Sequence, residues 1–476
     1  MSMSRLGYKE ANPTSRKPTM ATLYSATIGL HRKKPRIYLH SSRLVDEGWS
    51  IGENFSVKQG KDNNLKLVVE ESGARTVSRK KKTKKDEFQP LIDLREDDLM
   101  NIGKVGSKIR IFVHSGVMIF SKHFQDRKIA DRIVSLLDNM SNLNTTSFFH
   151  GAGIASRALH EGMKKVGVKT RLAFVLERER EYLECSLRNN SVMFDKDSVV
   201  VNAELKDVDF LSGDFPTSNI FEAGIPCTVH AKCNTANTSN PEAVEEGVSF
   251  FSTLSGIQKM NPAIIQLECV VEFGRSQSAE IIRTCLSSWG YLVKESHLSG
   301  PDFGSFERRT RWFCLAVSKG LEEFIDFDDL KYEGPNKPEN FGVIRDKVVP
   351  DDQWKPYTYL RDKELRDIEA GKGFRMHIIN DDNEHCNVLT RYYSKAQSTG
   401  VLVEHPDPSS ELLRLFSITE QAKAKTIPVE LVDGLGKTLA SQALGQSVIY
   451  RILESIGSLI GNGINNHFSA NKSIAA

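Results

Sequence analysis

Four short segments of the chain hold residue types that could make and break covalent bonds. The first is Gly224-Ile225-Pro226-Cys227-Thr228, where a proline stiffens the backbone beside a cysteine. A cysteine thiolate is intrinsically very nucleophilic, and nearby arginine charge makes it accessible at neutral pH. The second is Leu267-Glu268-Cys269-Val270, a carboxylate at the end of an apolar run. The third is Glu307-Arg308-Arg309-Thr310-Arg311, directly before the apolar Trp312–Val317. Arg309 and Arg311 share one face of an extended segment, because side chains alternate along a strand. The fourth is Phe149-His150-Gly151-Ala152-Gly153, whose glycines would let the backbone approach a ligand ahead of a helix N-terminus. Each segment also has a plain structural reading: a buried thiol, a surface or capping acid, a solvated basic strand end, a tight turn. Cys227 opens a Cys-x-x-His-x-x-Cys string with His230 and Cys233, but only three ligands are local, so no metal is expected.

The elements that must position these residues follow from periodicity. From Ser147 short apolar runs alternate with helical stretches, the signature of a mostly parallel sheet with helices on both faces. The strands expected are Thr146–Phe149, Arg171–Leu176, Ser198–Val201, Asn219–Phe221, Ala263–Leu267, Tyr291–Val293 and Trp312–Val317. The helices expected are Ala155–Val166, Val248–Met260, Ala279–Ser288 and a final Val448–Ile460. Every segment singled out above then falls at a strand end, where α/β sheets place their ligands. Glu177 ends the second strand and Glu204 follows the third, and an acid at the tip of the second strand suits ribose hydroxyls. The glycine loop lacks the further glycines of a dinucleotide GxGxxG and suits adenosylmethionine better than NAD.

At 476 residues the chain is long for one core. The reading divides it into a disordered 1–22, a small β-rich domain over 23–140, an α/β catalytic domain over 145–318, an irregular region over 319–410, a return to the α/β domain over 411–460, and a disordered tail over 461–476. A hydrophobic share of 39% and a charged share of 26% are those of an ordinary globular protein, and no stretch suits a membrane span. The amino terminus lacks an apolar signal region, and seven scattered cysteines argue for a reducing cytoplasm. A net charge of +3 decides nothing about nucleic acid, but Arg79, Lys80, Lys81, Lys82, Lys84 and Lys85 form a local basic run, read as an exposed loop.

The order of these segments, closed by Gly445-Gln446-Ser447-Val448, resembles the cytosine-5 DNA methyltransferase family over about 147–318 and 386–460. Leu389-Thr390-Arg391-Tyr392-Tyr393 is similar to the family's segment just after its target-recognition region, which would place that region in 319–385. The chain departs from the family pattern at Thr228, where the family has Gln, and at Cys269, where it has Asn. It departs again at Glu307 for Gln, at Gln446 for Asn, and at Glu222, which interrupts an otherwise apolar strand.

The resemblance implies a Rossmann-like methyltransferase sheet, S-adenosyl-L-methionine as cofactor and double-stranded DNA as substrate. It implies Cys227 as covalent nucleophile at cytosine carbon 6, Glu268 on ring N3 and the exocyclic amine, and Arg309 and Arg311 holding the carbonyl oxygen and positioning the cysteine loop. Phe149, Gly151, Gly153, Glu177, Glu204, Pro226 and Ser447 would surround the cofactor. The target base would have to leave the stack. A restriction endonuclease is a candidate partner, a prokaryotic or phage origin fits, and the oligomeric state is open. The basic run is expected on DNA phosphates. Two other readings compete: an RNA cytosine methyltransferase, for which Trp354–Arg361 could stack unpaired bases, and a non-catalytic DNA-binding regulator.

Overall fold

Strict alternation along Lys108–His114 buries Ile109, Ile111 and Val113, and the paired Val117–Lys122 buries Met118 and Phe120 from the facing strand. The turn between them runs through Ser115 and Gly116, both at positive φ (44° and 74°), the hairpin geometry their residue types foretell. The computed structural model describes residues 21–60, 64–82, 87–226, 249–373 and 375–475, with side chains as far as 469. The chain forms two compact units divided after Ala130.

The first unit is β-rich, as the sequence suggests. It has a six-stranded antiparallel sheet and a four-stranded one made of Gly29–His31, Lys34–His40, Phe88–Arg95 and Ser78–Lys81. Trp49, Phe55, Leu67, Ile92, Leu94 and Phe120 lie in its core. The basic run is not the exposed loop expected of it: Arg79, Lys80 and Lys81 belong to a strand paired with Phe88–Arg95.

The second unit carries a seven-stranded sheet: β1 (Leu143–Phe148), β2 (Thr170–Glu177), β3 (Val199–Asn202), β4 (Ile220–Gly224), β5 (Ile264–Cys269), β6 (Tyr291–Ser299) and β7 (Thr310–Ser318). Their order is β3-β2-β1-β4-β5-β7-β6, parallel except that β7 runs against both of its neighbours. Consecutive residues alternate between two cores. Ile220, Ile264 and Leu315 face one, while Phe221, Ile265 and Cys314 face the other. Both faces are therefore covered, which is why these strands read as continuous apolar runs.

Among the described residues, the α-helices of seven residues or more are α1 (Phe124–Asp138), α2 (Ile154–Lys165), α3 (Arg180–Asn189), α4 (Ser249–Met260), α5 (Gln277–Ser288), α6 (Thr358–Glu369), α7 (Ile418–Ala424), α8 (Lys437–Gln446) and α9 (Tyr450–Ala475). α4 and α5 cover one face of the sheet and α2 and α9 the other. The sequence reading ends the last helix at Ile460 and leaves 461–476 disordered, whereas α9 continues to Ala475. Ile464 is fully buried, and the Asn465 amide donates to the Val166 carbonyl at 2.9 Å. Glycines that read as a loose tail are contact points. A side chain at Gly461 would collide with Val166, and one at Gly463 with Ile325 and the Phe324 carbonyl.

The region over 319–410 is less irregular than its composition suggests. Besides α6 it contributes β8 (His377–Ile379) and β9 (Val401–Glu404), which pair with β10 (Leu413–Arg414) in a small sheet. Phe341, Ile379, Val401, Val403 and Phe416 form its core. Beside that core, Arg414 and Glu420 make a bidentate pair at 2.6 and 2.7 Å with both residues fully buried. Glu420 also accepts the amides of Ser417 (2.8 Å) and Asp346 (2.9 Å). Glu420→Ala strands a buried guanidinium and should cost about 3–5 kcal/mol. The check is the urea midpoint of unfolding, and an unchanged midpoint would mean that the pair contributes no net stability.

Candidate active site

After β1 the chain turns through Phe149, Gly151 and Gly153 at φ of 56°, 56° and 76°. A side chain at Gly153 would collide with Ser186, Asn190 and His150, so glycine is required there by both conformation and space. A buried polar network holds the turn from beneath. His150 Nδ1 lies 2.9 Å from Ser147 Oγ and its Nε2 2.8 Å from Ser186 Oγ, while the Asn190 amide donates to the Ala152 carbonyl at 3.2 Å. Ser156 donates to Glu222, and its Oγ lies 3.1 Å from Ser147 Oγ. Burial drives His150 down to about 3 and Glu222 up to about 7. Glu222, odd within an apolar strand, thus serves as an anchor of this loop.

Glu177 closes β2 and holds the loop from the side. Its Oε2 accepts the Gly151 N–H at 2.7 Å and its Oε1 the Glu179 N–H at 2.9 Å. A carboxylate has about four acceptor positions, so capacity remains for two hydroxyls. Glu204 stands apart: it is exposed beyond β3, with Arg178 3.4 Å away. Ser447 ends α8, its hydroxyl donating to the Leu444 carbonyl at 3.1 Å. Its neighbour Gln446 faces the loop, with the amide nitrogen 3.9 Å from where a Cβ on Gly151 would lie. Arg391 reaches Glu179 at 3.9 Å, so the Leu389–Tyr393 segment borders the same end of the sheet.

The second cluster stands at the tips of β4 and β5. Gly224 pairs in register with Glu268, and the Ile225 N–H donates to the Glu268 carbonyl at 2.9 Å. The Cys269 thiol donates to the Ile225 carbonyl at 3.3 Å, so this departure from the family pattern still ties β5 to the chain leading into Pro226. Cys227, Thr228, His230 and Cys233 lie outside the described residues. Glu268 Oε1 stands 3.4 Å from Arg311 Nε. Burial raises the Glu268 pKa, against the opposing charges of Arg311, Arg309 and Lys425. Arg309 is buried, with its guanidinium 3.6 Å from Glu307.

Glu307 is itself fully buried against Lys425, at 2.8 and 3.0 Å. Sequence reading missed Lys425 entirely, because a lysine after a short helix gives no local sign that tertiary packing will bury it. It also missed the support given by His150, Ser186 and Asn190, whose only signal is polarity at otherwise apolar strand and helix positions. Among the described residues, no group of three or more His, Cys, Asp or Glu could hold a metal ion. Also among them, no helix is long and apolar enough to cross a membrane.

In the amino-terminal unit the basic run is partly engaged. Lys82 pairs with Glu87 at 3.0 Å, Lys80 meets His40 Nε2 at 2.7 Å, and Arg79 lies 4.8 Å over the Phe88 ring. Lys84 and Lys85 lie outside the described residues.

The family model for C-5 cytosine-specific DNA methylases matches residues 143–462, from the start of β1 to within α9. This chain belongs to that family. Among curated family relatives, the type II methyltransferase M.SsoII of Shigella sonnei is 23% identical over 257 residues, 52% of this chain. This chain spans 65% of that relative's length. A tRNA (cytosine(38)-C(5))-methyltransferase of Schizosaccharomyces pombe is 24% identical over 235 residues, 46% of this chain and 70% of its own. Among solved structures, the Entamoeba histolytica methyltransferase EhMeth superposes with a TM-score of 0.52 at 18% identity, over 68% of this chain and 98% of its own. That likeness bears out the methyltransferase sheet. Enzymes of this family take their methyl group from S-adenosylmethionine.

Proposed function

We propose that the protein methylates carbon 5 of cytosine in double-stranded DNA, with Cys227 as the covalent nucleophile. The observation that carries this reading is the pairing of the β4 and β5 tips. It sets the largely buried Glu268 carboxyl beside Gly224, three residues before Cys227, with Arg311 and Arg309 close by.

The glycine loop fits S-adenosylmethionine. Gly151 is open towards Gln446, and Glu177 is already oriented by two backbone N–H groups with acceptor capacity to spare. The bound cofactor supplies an electrophilic methyl group. Cys227 adds through its thiolate to carbon 6 of the cytosine ring, which makes carbon 5 nucleophilic. Glu268, whose burial favours the protonated form, donates to ring N3 as charge builds there. Arg309 and Arg311 hold the carbonyl oxygen. After methyl transfer, loss of the carbon 5 proton expels the thiol. The base reaches this pocket only when flipped from the helix. Glu204 would approach the adenine from the rim, and Ser447 would close the pocket.

Glu177→Ala removes a charged hydrogen-bond acceptor that contributes roughly 1.5–3 kcal/mol. Cofactor affinity should therefore fall about tenfold or more, at ~1.4 kcal/mol per decade. Calorimetry checks this, and unchanged affinity would remove Glu177 from the cofactor site.

The substrate is tested by transfer of labelled methyl to duplex DNA and to transfer RNA, with duplex DNA expected to be the acceptor. Transfer to RNA alone would replace the substrate and keep the chemistry. The basic run of the amino-terminal unit is proposed to rest on duplex phosphates. If about three of its six cations engage, replacing all six with Ser flattens the salt dependence of log affinity by about 2.7. Parallel slopes would leave Arg79, Lys80, Lys81, Lys82, Lys84 and Lys85 without a role in binding. A restriction endonuclease partner and a reducing cytoplasmic setting are part of the same proposal, since type II modification enzymes are among the relatives.

A further inference from the structure

The amino-terminal unit carries a second surface, apart from the basic run, that the proposed methyl transfer does not use. In its six-stranded sheet the core takes Ile109, Ile111 and Val113 from Lys108–His114, and Leu65 and Leu67 from Leu65–Val69. Alternation then turns Lys108, Arg110, Phe112 and His114 outward, with Lys66 on the same face. Strand pairing sets these residues in rows across the sheet. Leu23, Phe112, Ile119, Lys66 and Lys58 are successive partners, and Ser25, Arg110 and Ser121 form the next row. Leu23 is exposed, Phe112 and Ile119 are half-buried, and the Phe112 and His114 rings lie 6.4 Å apart.

The charge on this face has one sign. The six strands of the sheet hold no aspartate or glutamate. At its margin Lys58 is held by Glu70 at 2.8 Å, and Arg75 by Asp98 at 2.8 Å. Among the described residues, Lys66, Lys108 and Arg110 have no ion-pair partner. Cations around an apolar row with an aromatic centre suit a partner that is anionic and presents flat apolar faces. An unpaired nucleic-acid strand has both, since every base has a face that stacks on an aromatic ring. In a duplex those faces are stacked on one another, so a duplex would engage the cations and leave the ring idle.

We propose that this face binds single-stranded DNA, with an unpaired base stacked on Phe112 and the neighbouring phosphates on Arg110, Lys108 and Lys66. The site lies wholly within the amino-terminal unit, outside the residues that the methylase family model matches. It stands whether or not the chain transfers a methyl group. It is also separate from the basic run, whose strand belongs to the four-stranded sheet.

The test is fluorescence anisotropy of a labelled oligodeoxythymidine of about twelve nucleotides, a length within the usual range of such sites. The full chain is used, with unlabelled duplex DNA at saturation so that duplex-binding surfaces are already filled. The wild type should still bind the single strand. Phe112→Ala should weaken binding about tenfold, the loss of one stacked base, while Phe112→Tyr, which keeps a ring, should bind as the wild type does. Lys66→Gln, Lys108→Gln and Arg110→Gln together should flatten the salt dependence of log affinity by about 2.1, at ~0.7 per phosphate on single strands. Should the melting temperature show that Phe112→Ala does not fold, this triple variant, whose side chains lie outside the core, carries the test. A wild type that releases the strand to duplex overturns the proposal, as does full affinity in Phe112→Ala or an unchanged salt slope in the triple variant. Tighter binding of oligouridine would make the partner RNA, and equal displacement by polyglutamate would reduce the face to charge alone; either result overturns the proposal as well.

Discussion

Cys227→Ala is expected to abolish methyl transfer, by a factor on the order of 10⁴ or more, while cofactor affinity stays near that of the wild type. The expectation follows from how the nearby strands are joined. The Cys269 thiol bonds the Ile225 carbonyl and the Glu268 carbonyl accepts the Ile225 N–H, so the chain is held up to Pro226 from its β5 side. The glycine loop that would take the cofactor is supported separately, by Glu177, His150, Ser186 and Asn190. Removing one sulfur atom should therefore stop the chemistry without loosening the cofactor. Residual turnover within tenfold of the wild type would show that Cys227 is packing.

Glu268→Ala should lower kcat by about 10²–10⁴, the range for loss of a positioned general acid. It should do so without comparable loss of cofactor affinity, since Glu268 stands at β5 and Glu177 at the end of β2. The sign of the pH dependence follows from burial, which raises the pKa of Glu268. Its protonated, donating form persists to higher pH than an exposed glutamate's and is lost as pH rises through that raised value. The wild type should accordingly show a fall in kcat on the alkaline side that Glu268→Gln, whose amide always donates, does not show. An identical alkaline limb in both would assign the limb to another group.

Most of the sheet was legible because strands buried on both faces read as apolar runs, as Ile264–Cys269 and Thr310–Ser318 do. The glycine loop was legible because few residue types tolerate positive φ three times within five positions. The family pattern supplied roles for Glu268, Arg309 and Arg311, and the fold brings Glu268 and Arg311 into contact. Other features depended on tertiary context. α3 passed unnoticed because its segment, Arg180–Asn189, is rich in charge and shows only Tyr182, Leu183 and Cys185 to the core. Glycine and asparagine in 461–466 suggested a frayed tail, yet Gly463 lies against Phe324 and Ile325, and Asn465 bonds Val166. The basic run looked unanchored because its partner strand, Phe88–Arg95, comes only later in the chain. Lys425 could not be foreseen, since only the folded chain brings it to Glu307.

The central claim is that a cysteine thiolate attacks a flipped cytosine, and trapping the adduct tests it most directly. Fluorine at carbon 5 cannot leave as a proton does, so the enzyme should stall covalently attached to the duplex after methyl transfer. With S-adenosylmethionine present, a 5-fluorocytosine duplex should yield a slower-migrating protein–DNA species on a denaturing gel, and the same reaction with Cys227→Ala should yield none. A wild-type protein that transfers methyl to the unmodified duplex but leaves no adduct, or an adduct that survives loss of Cys227, would contradict the mechanism.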